Sequence, residues 1–154
     1  MNLSNYTIDI SGLDLTKLIS TWTWLIGKDK EVIVITKVGD LLLKDNAGKL
    51  FMLNTGEGTI DLLSNLHTDF YKNKLPAELY VEIFRPELIQ DLEDAKKILK
   101  PGQVYSFINL PALGGKYEVN NISCIDIYKH FTIVGELHKL IDNLPEEKID
   151  SVEE

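Results

Sequence analysis

The chain of 154 residues is 44% hydrophobic and 26% charged, which is typical of one soluble globular domain with a substantial core. No apolar run approaches the ~18 residues of a membrane-spanning helix, and the first residues do not resemble a secretory signal. The net charge of −8 is uneven, because residues 142–154 carry −5 and residues 1–141 only −3. We therefore expect a cytoplasmic protein with a single domain over 1–141 and an acidic flexible tail over 142–154.

The basic residues indicate which partners to expect. Arg85 is the only arginine among sixteen lysines and arginines. Proteins that read nucleic acids usually present arginine side chains on a basic face. Direct binding to nucleic acid is therefore not expected, nor is binding to a membrane. An acidic surface favours association with a basic protein partner instead.

The first half of the chain predicts a helix followed by an antiparallel meander. The helix spans residues 13–25, and the strands span 32–35, 41–44 and 49–54. Gly39-Asp40 and the polar segment from Asp45 to Gly48 supply the turns between these strands. We interpret Asp40 and Asp45 as turn-forming residues rather than as an acid–base pair.

The second half of the chain mixes helices and strands. Predicted helices span residues 60–75, 77–84, 87–99 and 128–142, and predicted strands span 103–108 and 117–127. Pro86 lies in the first turn of the third of these helices, where proline is well tolerated. The sequence thus predicts an α+β domain with a mainly antiparallel sheet flanked by helices.

Residues with the spacing of a catalytic, cofactor-binding or metal site are not apparent. Gly56 and Gly58 follow a strand but lack the further glycine and lysine of phosphate-binding loops. His130 and His138 are eight residues apart, about 12 Å along a helix, which is too far for one metal ion. The single Cys124 is interpreted as a buried, inert thiol. We expect no enzyme activity, no cofactor and no metal.

Residues 101–121 combine two short strands with a tight corner. Pro111 ends the first strand, and the second begins at Tyr117. Between them, Gly114 and Gly115 are predicted either to adopt positive φ or to let another part of the backbone approach closely. The segment contains no side chain suited to catalysis, so it predicts a structural feature rather than an active site. Leu113 and Tyr117 flank the corner and are candidate contacts for a partner.

Trp22 and Trp24 are two further candidates for contact with a partner. They are two residues apart in the predicted helix 13–25, so they should not share one face. One of them is then expected to be exposed or at the helix end, where tryptophan is a plausible interface anchor.

Two series of residues resemble the pattern of a bacterial domain family. The first consists of Gly39-Asp40, Asp45-x-x-Gly48, Gly56-x-Gly58 and Phe70. The second consists of Gly102-Gln103-x-Tyr105, Pro111-x-Leu113-Gly114-Gly115-x-Tyr117, Asn120-Asn121 and a helix with His130, Gly135 and His138. Over about residues 36–141 the chain resembles the family typified by the C-terminal domain of a type VI secretion immunity protein whose toxin degrades DNA. It resembles the Smi1/Knr4 immunity superfamily more distantly.

The resemblance implies a non-enzymatic intracellular protein that neutralises a cognate toxin, with a nuclease as the expected toxin class. It implies structural roles for the recurrent residues, which are Gly39, Asp40, Gly48, Gly56, Gly58, Pro111, Gly114 and Gly115. Many members carry a longer N-terminal region than the first 35 residues of this chain. If that region contributes to toxin contact in those members, partner choice or mechanism is expected to differ here. A homo-oligomer is possible but not indicated. The alternative is a small-molecule-binding or regulatory domain with a pocket near Gly114 and Gly115.

Overall fold

A five-stranded antiparallel meander forms the main sheet of the protein. The structure is a computed structural model that describes residues 3–64 and 76–144. The strands follow one another across the sheet in chain order: β1 Thr7–Ile8, β2 Glu31–Thr36, β3 Leu41–Lys44, β4 Leu50–Asn54 and β5 Thr59–Ser64. A bulge between Val32 and Val34 shifts the register of β2 against β3.

A two-stranded antiparallel sheet and five α-helices complete the described fold. The small sheet pairs β6 Gln103–Phe107 with β7 Ile122–Asp126. The helices are α1 Leu15–Leu18, α2 Thr23–Ile26, α3 Ala77–Phe84, α4 Pro86–Asp94 and α5 Ile127–Asp142. The predicted α+β class with a mainly antiparallel sheet is confirmed. Within the described residues, no helix has the length and apolar character to cross a membrane.

The main sheet is buried on both faces, which explains the continuous Leu41-Leu42-Leu43 run. Successive side chains of a strand point to opposite faces. Leu41 and Leu43 accordingly pack with residues of α1, α2 and α5, whereas Leu42 packs with Ile83 and Phe84 of α3. A third cluster joins α4 to the small sheet. Helices therefore cover both faces of the meander.

The β3–β4 hairpin shows how a few polar residues fix the register of this sheet. Asp45 Oδ1 accepts hydrogen bonds of 2.9 Å from the backbone N–H groups of Ala47 and Lys49. Gly48 has a φ of 82°, a conformation that glycine adopts without steric cost. The Asp45–Gly48 segment thus forms the predicted turn.

The predicted helix over residues 60–75 is wrong for residues 60–64, which form most of β5. Ile60 pairs with Leu53 and Leu62 with Phe51, so pairing with β4 overrides the apolar spacing that favoured a helix. Leu66, Phe70, Leu75 and the other residues from 65 to 75 lie outside the described residues, as do residues 145–154 of the predicted acidic tail.

Other element boundaries differ from the sequence predictions. The predicted helix 13–25 is divided into α1, a 3-10 turn over Ser20–Trp22, and α2. The helix that begins at Pro86 ends at Asp94 rather than Leu99, because the backbone of Lys96 turns to a φ of 65°. The last strand begins at Ile122 rather than residue 117, because a 3-10 turn over Val119–Asn121 precedes it.

Candidate functional site

The residues after β4 lie where the main sheet, the small sheet and α5 meet. Thr55 is only 1% exposed, and its side chain and both backbone polar groups form hydrogen bonds. Its Oγ1 lies 2.8 Å from the carbonyl oxygen of Gly39, and its N–H donates to Asp40 Oδ1 at 2.8 Å. Its carbonyl accepts a 2.7 Å hydrogen bond from Nε2 of His138. Thr55 thus joins the β2–β3 turn to α5.

His130 of α5 connects the same turn to the small sheet. Its Nε2 lies 2.9 Å from the carbonyl oxygen of Gly39, and its Nδ1 lies 2.8 Å from Ser106 Oγ. Because a carbonyl oxygen only accepts, Nε2 carries the proton and Nδ1 accepts from the Ser106 hydroxyl. Both ring nitrogens are therefore satisfied in a neutral imidazole.

Burial shifts the pKa values of two groups in this network in opposite directions. Burial lowers the pKa of His130 to about 4, against a smaller opposing effect of its hydrogen bond to Gly39. Burial raises the pKa of Asp40 to about 6, although hydrogen bonds from Thr55 and the charge of Arg85 favour the ionised form. Both shifts favour the uncharged form of the buried side chain.

The Ser106–His130 pair has the distance of a catalytic dyad but not its accessibility. Both side chains are buried, so a substrate cannot reach the hydroxyl in this conformation. Asp40, the nearby carboxylate, bonds to Thr55 rather than to the imidazole. The pairing was not predicted from the sequence, because Ser106 lies 24 residues from His130 and in no local motif. The geometry favours a structural network over catalysis.

Two glycines allow the histidines to approach the main sheet. A Cβ atom at Gly39 would collide with Nε2 of His130, and one at Gly58 would collide with Nδ1 of His138. Both glycines also have positive φ, at 80° and 72°. Gly56 faces Phe107, so a side chain there would press on the small sheet. The glycines after β2 and β4 thus make room for the contacts that hold α5 in place.

Gly114 and Gly115 serve different purposes at the corner between β6 and β7. Gly114 has a φ of 94° with open space around it, whereas a Cβ at Gly115 would collide with the backbone carbonyl of Asn109. Asn121 Nδ2 donates to the carbonyls of Asn109 and Lys116, at 2.8 and 2.9 Å. Pro111 begins a 3-10 turn that leads to Gly114. The corner is therefore held by backbone contacts and one amide side chain.

Tyr117 joins this corner to two other parts of the surface. Its ring packs edge-on against Phe107, with the centroids 5.0 Å apart, and the Arg85 guanidinium lies 4.2 Å from its centroid. Its hydroxyl lies 3.4 Å from Glu57 Oε1. Burial raises the pKa of the Tyr117 hydroxyl. Tyr117 thus brings the corner together with the turn after β4 and the α3–α4 junction.

The other candidate partner contacts are placed differently. Leu113 is 55% exposed at the corner, as an interface residue requires, whereas Trp22 is fully buried and donates from Nε1 to the Phe131 carbonyl at 2.9 Å. Trp22 is therefore unavailable to a partner. Trp24 is half-buried and lies nearly parallel to Trp22, with ring centroids 6.4 Å apart. The two indoles share one side because the chain at Trp22 is a 3-10 turn rather than a continuous α-helix.

The family model described as "T6SS immunity protein Tdi1, C-terminal" matches residues 65–138. The resemblance to this type VI secretion immunity family is confirmed for that part of the chain. The match includes the corner, Tyr117, His130 and His138, and it leaves Gly39 to Gly58 outside. The more distant resemblance to the Smi1/Knr4 superfamily has no support from these comparisons.

A solved structure shows the same fold at low sequence identity. The crystal structure of Atu4351 from Agrobacterium tumefaciens superposes with a TM-score of 0.54 at 18% identity, over 80% of this chain. The aligned region spans 65% of the Atu4351 chain, slightly less than two thirds of its length. No curated protein sequence matches significantly.

Substituting Gly39 tests whether the contact with His130 holds α5 against the sheet. Gly39→Ala should lower the free energy of unfolding by roughly 3 kcal/mol or more, because it adds a collision to the strain of positive φ. Gly48→Ala is the matched control, since Gly48 has a similar φ and open space, and it should cost only about 1–2 kcal/mol. Urea unfolding measures both. Equal losses of stability in the two variants would show that the His130 imidazole moves away from the added methyl group at little energetic cost.

The raised pKa of Asp40 predicts a pH-dependent effect of Asp40→Asn. Between its ordinary value of 3.8 and about 6, the folded protein binds this proton more tightly than the unfolded chain, so Asp40 stabilises folding as pH falls. The variant should therefore lose stability relative to wild type as pH falls from 6.5 to 4, by roughly 2–3 kcal/mol in total. Urea unfolding across this range measures the difference. A difference in unfolding free energy between Asp40→Asn and wild type that stays constant with pH would contradict the prediction.

Proposed function

We propose that the protein binds and neutralises a cognate toxin of a type VI secretion system. The match of residues 65–138 to the immunity family carries this proposal. The structure adds a corner with the exposed Leu113 and the half-buried Tyr117, which is hydrogen-bonded through Gly56 to the segment that carries the Thr55–His130 network. Because the family match includes this corner, its surface is a good candidate for the contact with the toxin.

Neutralisation by binding requires no chemistry in the immunity protein. Within residues 3–64 and 76–144, no group of three or more His, Cys, Asp or Glu side chains is arranged to hold a metal ion. The Ser106–His130 pair is buried and fully hydrogen-bonded. We therefore propose a non-enzymatic inhibitor that covers a functional surface of its toxin, acting in the cytoplasm.

A nuclease is the toxin class that best suits the charge of this protein. A nuclease cleft is basic because it binds phosphates, and an acidic protein associates with such a surface quickly. The chain carries a net charge of −8, of which residues 1–141 contribute −3. The alternative, a small-molecule pocket near the corner, is less well supported, since the cleft beside Tyr117 has a volume of about 220 Å³. Pockets for drug-sized ligands usually exceed about 300 Å³.

The proposal predicts that an effector gene adjoins the gene for this chain, and that effector is the partner for the test. Co-expression should restore growth to cells that produce the effector, and the purified proteins should form a stable complex. Such complexes typically bury on the order of 1,200–2,000 Å² in total. An effector that remains toxic and unbound would contradict the proposed function.

Leu113→Asp tests whether the corner contacts the toxin. A charge at the centre of an apolar contact should weaken binding by about 10-fold or more. Ile98→Asp is the matched control, because Ile98 is similarly exposed, at 58%, but precedes β6 rather than following it. Calorimetric titration with the effector compares the affinities of the two variants. Equal affinities for both variants would place the interface elsewhere.

A further inference from the structure

The cleft between α3 and α4 has apolar walls and acidic side chains on one rim. Val81 of α3 is 52% exposed and lines the cleft together with Leu88, the ring of Tyr117 and the side chain of Arg85. Glu87 and Asp91 of α4 lie along the same cleft, one helical turn apart. An occupant with an apolar stem and a positive end would suit this arrangement.

The segment around the cleft, residues 76–95, is also acidic. Residues 76–95 contain six carboxylates and one basic residue, Arg85, whereas the rest of residues 1–141 carries a net charge of +2. The acidity of the body is thus concentrated in α3 and α4. Within the described part of the chain, the ion pairs join Lys30 to Asp29 and Lys44 to Glu31, so the carboxylates of α3 and α4 have no basic partner there.

Arg85 is occupied by an aromatic contact instead of neutralising these carboxylates. It lies between α3 and α4 with a left-handed backbone conformation, φ 50° and ψ 53°, which is uncommon for a residue with a side chain. Its guanidinium stacks on Tyr117 at 4.2 Å. Glu87 and Asp91 therefore line the cleft without an ion pair to any described residue.

Helix α4 also stands between two depressions of the surface. Its exposed residues Glu87, Gln90, Asp91 and Asp94 recur at helical spacing on one face. The second depression, with a volume of about 360 Å³, lies along Gln90 and Glu93. A ridge between two hollows offers a partner shape as well as charge to recognise.

We propose that α4 and the adjoining cleft form the docking surface for a cationic segment of the toxin. A lysine or arginine of that segment enters the cleft, with its stem on Val81 and Tyr117 and its charge beside Glu87 and Asp91. The volume of about 220 Å³ suits one long side chain better than a drug-sized ligand. This inference rests on the proposed function and specifies the element that contacts the toxin.

The charge component is tested with the double variant Glu87→Gln/Asp91→Asn. Its association rate with the effector, measured by stopped-flow fluorescence, should fall about 10-fold at 50 mM salt and about 2-fold or less at 500 mM. The control Glu136→Gln/Asp142→Asn removes the same charge from α5, where both residues are exposed. Its rate should stay within about 2-fold of wild type at both salt concentrations.

The shape component is tested with Val81→Arg, which fills the cleft with a fixed positive charge. Binding should weaken by about 30-fold or more, with an unchanged melting temperature because Val81 is already half exposed. Ile133→Arg is the matched control on α5, since Ile133 is 58% exposed. Loss of binding in Ile133→Arg but not in Val81→Arg would assign the interface to α5 and overturn the inference.

The outcomes separate this inference from the function on which it rests. If the wild-type protein binds the effector and protects cells while the α4 variants match their controls, the docking surface is wrong and the immunity function stands. If the wild-type protein neither binds nor protects, both proposals fail. Hydrogen exchange of the complex gives an independent answer, because protection should centre on residues 81–94 rather than on α5.

Discussion

The hydrogen-bonded contact of Thr55 and His130 with the Gly39 carbonyl is the interaction on which the arrangement of the two sheets depends. Thr55 Oγ1 and His130 Nε2 lie 2.8 and 2.9 Å from the same oxygen, which has two lone pairs to accept them. His130 then reaches Ser106 in the small sheet. A buried polar group without a partner is costly, so the three elements cannot separate by a small amount without losing several bonds.

This network accounts for the position of the corner that carries the candidate interface. The turn that begins at Thr55 continues to Gly56, whose carbonyl accepts a 3.2 Å hydrogen bond from Ala112 N–H in the corner. Glu57 then reaches the hydroxyl of Tyr117. An interface that is already ordered loses less conformational entropy on binding than a mobile one. The buried contacts therefore hold in place the corner that we propose as the contact with the toxin.

Local signals in the sequence were sufficient for part of the fold. The bounds of α3, Ala77–Phe84, agree with the prediction, because its apolar spacing is regular and Pro76 precedes it. The apolar spacing around Ile60 was misleading, because β-pairing with β4 depends on a neighbour and not on local periodicity. The Ser106–His130 contact and the burial of Trp22 depend on the packing of α5, which no spacing within the sequence reports.

Arg85 connects the surface to the buried network through its charge. Its positive charge opposes the rise in the pKa of Asp40, and its guanidinium lies on Tyr117, which forms part of the proposed docking cleft. Arg85, the single arginine of the chain, thus contacts the cleft proposed as the docking surface and also influences the ionisation of the buried Asp40.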